Sequence, residues 1–566
     1  MRDMLSRISS HANVEAHLRA LRAKLTEEAQ AALAPLFERL ISSGCELTPN
    51  GSELIIRAST QDGMALARAL ITTEGTYLAD LFADRHDVGP LALHLLLGVE
   101  APSMWVHVVM PAEPDVALAS LVDVSPAMSW YERELWEEAG IVVSDHPYLR
   151  RLRLPAHWPE DAYPVRHGPD ELLALTGSQA EPETAEARIP LVGIDDEREE
   201  LDPGPEGVVD YPLGPVRSGV LESGHYLIRT VGEEIVDFRL QLSYKHRGIE
   251  QRALGLGHLH IPLVAERISG MSGFAHALAV CEALERAGGV EVPARARYLR
   301  TLFAELERIY NHLGYQADLC QATGLVVGQA QFDILKEQVL RLNGQLTGSR
   351  YLFGTCVFGG VAVDPSSEQL AQVRALVASL RRKVHHLGKM LFNSPSHVDR
   401  LDGTGILLPD DARAWCAVGP IGRASGQDRD TRRDHPYAAY AELAFDVPVL
   451  HEGDALARAR VRLDETIQSL RLAEQVLDKL PSGPARVSSA EAPRDTSALG
   501  WVESPRGEGM HWLRLDASGR IARYRVRTAS FANAQTFPLS IPGRNILTDF
   551  PVIEQSWALS YAGADR

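Results

Sequence analysis

Glu266-Arg267-Ile268-Ser269-Gly270-Met271-Ser272-Gly273-Phe274-Ala275-His276 is the stretch whose reading decides the fold. Ser269 and Ser272 stand three residues apart with Gly270 between them. His276 follows Ser272 by four residues, a step that returns to the same face of a helix. The chain closes on Ser560-Tyr561-Ala562-Gly563-Ala564-Asp565-Arg566, where Ser560 and Gly563 repeat the three-residue spacing.

Around these two ends lies a chain of 566 residues, long enough for two or more domains and a large core. Hydrophobic residues make up 45% and charged residues 23%, the balance of an ordinary globular protein. A net charge of −18 argues against nucleic-acid binding, which calls for basic patches. The five cysteines, Cys45, Cys281, Cys320, Cys356 and Cys416, include no C-x-x-C pair. They read as buried or incidental thiols in a reducing compartment, not as a disulfide framework or thiolate cluster. Residues 1–10 lack the pattern of a signal peptide. The best apolar run, Leu91 to Val99, is far short of the roughly 20 residues of a membrane helix.

Residues 1–40 carry Leu18, Leu21, Leu25, Ala29, Leu33, Phe37 and Leu40 at helical spacings, with Pro35 expected to kink or divide the helix. Strand patterns follow at Glu53–Arg57, Gly75–Ala79 and Met104–Met110, so 41–170 is expected to be a small α+β domain. A stretch rich in Glu, Asp, Pro and Gly marks 171–207 as an acidic linker. The domain 208–566 is expected to be mainly α with some β structure. It has helical faces in Arg300–Leu313 and Asp333–Leu346, and a capping box at Ser366 and Gln369 opens a helix to Phe392. A further helix spans Ala455–Leu480, and a loop at Ala485–Ala498 leads to strands at Gly509–Leu515 and Ile521–Thr528. The basic pair Arg432-Arg433 reads as a solvated or docking feature.

The opening stretch resembles the first metal-binding motif of nickel–iron hydrogenase large subunits, R-x-C-G-x-C followed by G-x-A-H, and the terminal one resembles their C-x-x-C end. Further matching segments are Gly219–His225, Tyr244–Glu250, Glu305–Leu313, Arg423–Gly426, Asp434–Tyr437 and Glu503–Gly507. In the N-terminal region, Trp130–Trp136 and His146–Pro155 resemble the W-x-E-R-E and H-P-D-L-R-R-L patterns of complex I's small hydrophilic subunit, with Tyr148 in place of aspartate. The order and spacing are similar to the large subunit of energy-converting hydrogenases of the formate hydrogenlyase type, and to complex I's quinone-site subunit, fused to that small domain.

The resemblance implies four thiolates at positions that here hold Ser269, Ser272, Ser560 and Gly563. Nickel–iron chemistry needs soft thiolates, and serine hydroxyls are hard donors that ionise far less readily. The sequence also ends at Arg566, where hydrogenase precursors carry a further tail. No nickel–iron group and no other cofactor bound by this chain is therefore expected. Complex I's quinone-site donors are replaced too, by Arg217, Gly270 and Ala322. What the resemblance leaves is Glu222 in the place of a proton-relaying glutamate and Arg506 in the place of an arginine over the metal. His276 lies one turn from Ser272, and Arg217 and Tyr561 are candidate quinone or cavity contacts. His246, Arg247 and Glu250 are expected to form a structural cluster.

The function expected from the resemblance is that of a peripheral-arm subunit in a membrane oxidoreductase complex coupling electron transfer to ion translocation. The chain would lie on the cytoplasmic, inner face of the cell membrane. Its partners would be a small iron–sulfur subunit, which holds a cluster, and membrane antiporter-like subunits, with membrane contact only through them. A non-redox coupling subunit is the alternative, and a redox enzyme with another substrate in the old cavity is a third reading. No G-x-G-x-x-G follows a strand, so nothing suggests nicotinamide binding by this chain.

Overall fold

The computed structural model describes residues 15–32, 34, 37, 45–47, 52–85, 90–100, 103–113, 116–155, 158–177, 207–217, 222–489 and 491–566. Two compact units divide between Asp202 and Pro203. Helix Pro169–Gly177 enters the start of the segment expected as a linker, and 178–206 lie outside the described residues.

The first unit is built on a five-stranded sheet in the order Cys45–Leu47, Glu53–Arg57, Ser103–Ala112, Leu91–Glu100 and Thr76–Asp84. Only the Glu53–Arg57 and Ser103–Ala112 pair is parallel. Helix Thr60–Ile71, capped by Ser59 accepting from Asp62 N–H, buries Leu66, Ala67 and Leu70. The N-terminal pattern forms two helices where one was expected, 15–24 and Glu27–Ala32. They part at Leu25, whose carbonyl takes Gln30 Nε2 while Gln30 N–H bonds Thr26. Pro35, expected to divide the helix, lies outside the described residues.

The charged motif of this unit is internal bracing. Glu137, on helix Met128–Ala139, accepts the backbone N–H groups of Leu152 and Arg153 at 2.8 and 3.0 Å. Burial pushes its carboxyl up to about 7. Glu134 pairs with Arg153 at 2.7 Å, and Arg133 donates to the carbonyls of Arg150 and Arg151. The ring of Tyr148 lies 4.7 Å from the Arg150 guanidinium and 5.4 Å from that of Arg133, so a cation–π contact occupies the aspartate's place.

In the second unit, helices Ala294–Ala322, Val326–Thr347, Ser367–Phe392 and Ala455–Lys479 pack in a closed ring of neighbours, a four-helix bundle. The Ser366–Gln369 capping box forms as expected, and Asp454 caps the last helix through Ala457 N–H. Two three-stranded antiparallel sheets flank the bundle. Val208–Leu213, His225–Val231 and Glu234–Gln241 form one, and Thr496–Ser504, Gly507–Leu515 and Ile521–Arg527 form the other. The first sheet and the strand from Thr496 were not legible in the sequence.

The second sheet packs on helix Gly273–Ala287, and Gly500 explains how closely. A Cβ there would stand 2.1 Å from the carbonyl of Ala279. Arg432 corrects the reading of a solvated basic pair: it is 1% exposed and bonded to Asp430 at 2.7 Å and Glu305 at 3.2 Å. Arg433 alone faces outward, held by Asp428 and Asp434.

Candidate functional site

Two loops meet here because each is pinned from behind. The 266–272 loop joins short helix Ile261–Ala265 to helix Gly273–Ala287. Glu266 anchors its start by accepting Gly354 N–H at 2.6 Å. Glu307 anchors its end by accepting Phe274 and Ala275 N–H at 2.9 and 3.0 Å, a carboxyl group at a helix N-terminus. Burial pushes Glu266 up to about 7 and Glu307 up to about 8. Asn311 holds the carbonyl of Met271.

The terminal loop is tied as firmly. Asp565 accepts Ser243 and Lys245 N–H, both at 2.8 Å, and His246 Nδ1 meets the Asp565 carbonyl. Arg247 donates to the carbonyls of Ile268 and Ala562, clamping the two loops together. Glu250 bonds Arg523 and Arg566. The cluster of His246, Arg247 and Glu250 thus holds the chain end in place.

Ser269 Oγ donates to Ser560 Oγ at 3.1 Å. Ser560 Oγ caps helix Tyr561–Asp565 by accepting Gly563 N–H, and lies 3.3 Å from Glu222 Oε1. A Cβ on Gly563 would stand 3.6 Å from that of Ser269. Glu222 also accepts Ala562 N–H at 2.7 Å. Three of the four paired positions and Glu222 therefore converge. Ser272, 2% exposed, follows on the same loop, and its carbonyl accepts His276 N–H.

Arg506 sits in the turn between strands Thr496–Ser504 and Gly507–Leu515, beside Glu222 and Tyr310. Its Nε donates to the Ala558 carbonyl at 2.8 Å, while Nη1 is buried with no partner among the described residues. The Tyr310 hydroxyl is buried beside Asn311. His276 is 3% exposed, and burial, aided by Arg506, brings it down to about 3. Its Nδ1 meets His511 Nε2 at 3.0 Å.

Arg217 and Tyr561 converge on Glu554, a residue the sequence reading missed. Arg217 binds it at 2.7 and 2.9 Å through both terminal nitrogens, and Tyr561 and Tyr226 donate to Oε1 at 3.1 and 2.7 Å. Burial pushes both phenols up. Arg217 also reaches the Glu222 carbonyl at 3.4 Å, so this group adjoins the serine pair.

The residues present do not fit a nickel–iron group. The donor positions are three hydroxyls and a glycine, and Ser269 and Ser560 are already engaged with each other, with Glu222 and with backbone. Among the described residues, no group of three or more His, Cys, Asp or Glu is placed to hold a metal ion. No helix among them is long and apolar enough to cross a membrane.

Comparison with known proteins gives the family of each part of the chain. The family described as respiratory-chain NADH dehydrogenase, 49 Kd subunit, matches residues 330–496 and 491–566, and the 30 Kd subunit family matches 57–169. Formate hydrogenlyase subunit 5 of Escherichia coli is 32% identical over 87% of this chain and 85% of its own length. Hydrogenase-4 component G of the same organism is 32% identical, over 84% and 81%. The C/D subunit of NADH-quinone oxidoreductase from Methylococcus capsulatus is 30% identical, over 80% and 82%. Among solved structures, a chain of the membrane-bound sulfane sulfur reductase, an archaeal respiratory membrane complex, is 29% identical with a TM-score of 0.60. That match covers 64% of this chain and all of the other.

Proposed function

Since the chain belongs to the family of formate hydrogenlyase subunit 5 and the C/D subunit of NADH-quinone oxidoreductase, we propose that it serves as a peripheral subunit of a membrane oxidoreductase complex. It couples electron transfer to ion translocation without a nickel–iron group. The observation that carries this reading is the Ser269–Ser560 hydrogen bond beside Gly563 and Glu222. The frame that brings two loops together is kept, and its donors are hard hydroxyls.

In this reading the site formed by Glu222, His276 and Arg506 receives the reacting molecule. Arg506 supplies a cation whose Nη1 makes no hydrogen bond among the described residues, Tyr310 supplies a hydroxyl, and Glu222 holds or releases a proton through Ser560. Arg217 and Tyr561 act on the adjoining side through Glu554, where a quinone is one occupant they suit. Electrons arrive from an iron–sulfur cluster in a small partner subunit. Antiporter-like partners provide the membrane span, which places this chain on the cytoplasmic face. The domain limits that go with this reading are 1–40, 41–170, 171–207 and 208–566.

The test is to isolate the complex with its native partners and record iron–sulfur signals as quinone is added. Cluster reoxidation by quinone, lost in Arg506→Gln, supports the reading. Hydrogen evolution by the pure complex overturns the part that excludes nickel–iron chemistry. A complex with membrane subunits but no cluster makes the chain a non-redox coupler.

A further inference from the structure

His276 does not end the polar chain it belongs to. Its Nδ1 lies 3.0 Å from His511 Nε2, and His511 Nδ1 lies 2.7 Å from the hydroxyl of Tyr524. The two imidazole centroids are 5.1 Å apart, and the His511 and Tyr524 rings stack at 5.9 Å. His511 and Tyr524 stand on adjacent strands, Gly507–Leu515 and Ile521–Arg527, and both are wholly buried. The first residue belongs to the candidate site; the other two lie behind it in the sheet.

Burial holds both imidazoles neutral at physiological pH. A neutral ring has one N–H and one lone pair, so a contact between two ring nitrogens needs one of each. Two proton arrangements satisfy the chain. In one, Tyr524 O–H donates to His511 Nδ1, His511 Nε2–H donates to His276 Nδ1, and His276 carries its proton on Nε2. In the other every donor is reversed, and the Tyr524 O–H is left without an acceptor.

Tyr524 O–H has no second partner among the described residues, and it is enclosed on all sides. Stranding a buried donor disfavours the reversed arrangement roughly 10- to 100-fold. The first arrangement places its only open donor at His276 Nε2, which makes no hydrogen bond among the described residues. It is not one of the buried side-chain atoms left without a partner among the described residues.

We propose that His511 and Tyr524 are positioning residues that fix His276 in its Nε2–H tautomer, so that the site presents an N–H donor to its occupant. The occupant then meets this ring through an acceptor atom, such as a carbonyl or carboxylate oxygen or an anionic sulfur. This rests on the reading of Glu222, His276 and Arg506 as the reacting site, whereas the tautomer itself does not.

The test uses the intact complex labelled with 15N-histidine, with solid-state NMR signals assigned by their loss in His276→Gln and His511→Gln. At pH 7 the expected His276 signal is that of a neutral ring protonated at Nε2. Tyr524→Phe removes the first donor and leaves His511 Nδ1 unpaired in either arrangement, so the preference for Nε2 is expected to weaken and an Nδ1-protonated fraction of His276 to appear. A wild-type ring protonated at Nδ1, or at both nitrogens, overturns the proposal whatever the variants do. So does a Tyr524→Phe spectrum identical to wild type. Where the tautomer is as stated and shifts in the variant, the assignment holds. Unchanged quinone-dependent turnover in that variant then counts against the site reading alone.

Discussion

Ser269 donates to Ser560 across 3.1 Å, and Ser560 donates in turn to Glu222, so the three form a directed chain of hydrogen bonds. Ser560 also caps the last helix through Gly563 N–H. Ser560→Ala is expected to lower stability by about 1–2 kcal/mol, and Ser269→Ala by about 1 kcal/mol. Because they share a bond, the double variant should lose less than the sum, by at least about 0.5 kcal/mol. Urea unfolding of the four proteins checks this; strict additivity would mean that the bond does not form.

Arg423 sits in a network buried away from the surface. It is fully buried and bonds Glu465 at 2.8 Å and Glu503 at 3.0 Å. Removing one partner of such a set leaves an uncompensated buried charge, so Arg423→Met is expected to cost about 3–5 kcal/mol. The exposed pair Arg341–Glu337, at 2.8 Å, is the contrast. Arg341→Ala should leave stability nearly unchanged, because solvent screens an exposed pair. Equal losses for the two in denaturant titrations would contradict the buried network.

Local chemistry explains what was legible in the sequence. Ser366 and Gln369 are three residues apart, and both halves of their cap are written in that spacing. Ser269 and Ser560 were legible only because two spaced pairs invited comparison. Nothing local marks Glu554, which reaches Tyr226 across 328 positions, or His511, which reaches His276 across 235. The strand Thr496–Ser504 was hidden because its small residues, Ser497, Ala498 and Gly500, have low strand preference. Those small residues suit packing on a helix, as the 2.1 Å approach at Gly500 requires. Arg432 was misread because charge in sequence says nothing of a partner 127 residues away.

The thiols offer a check on burial. Cys281, Cys320 and Cys356 are buried, and Cys416 is half-buried. Burial pushes the Cys320 thiol up to about 12, so it carries almost no reactive thiolate at neutral pH. Brief iodoacetamide treatment of the native complex, read by mass spectrometry, should modify Cys416 and spare the other three. Rapid labelling of Cys320 would show that its helix opens readily.

Glu307 should give stability a pH dependence that opposes that of an ordinary carboxylate. The folded-state value is raised to about 8 by burial and by Glu266, against the pull of the Phe274 and Ala275 N–H groups and Arg308. A group raised on folding binds its proton more tightly in the native state. Its contribution is therefore whole below the unfolded value near 4.5 and is lost as pH rises through about 8. The loss approaches about 1.4 kcal/mol per pH unit between those limits. Glu266, raised to about 7, acts in the same sense over a narrower span. His276, lowered to about 3, acts oppositely and removes stability only as pH falls below the usual histidine range. Urea unfolding at several pH values from 5.5 to 9 should show wild-type stability falling more steeply than that of Glu307→Gln up to about pH 8. Above that the two curves should run parallel. Identical slopes across the whole range would mean that Glu307 is ionised in the native protein, held by Arg308 and the helix N-terminus against its burial.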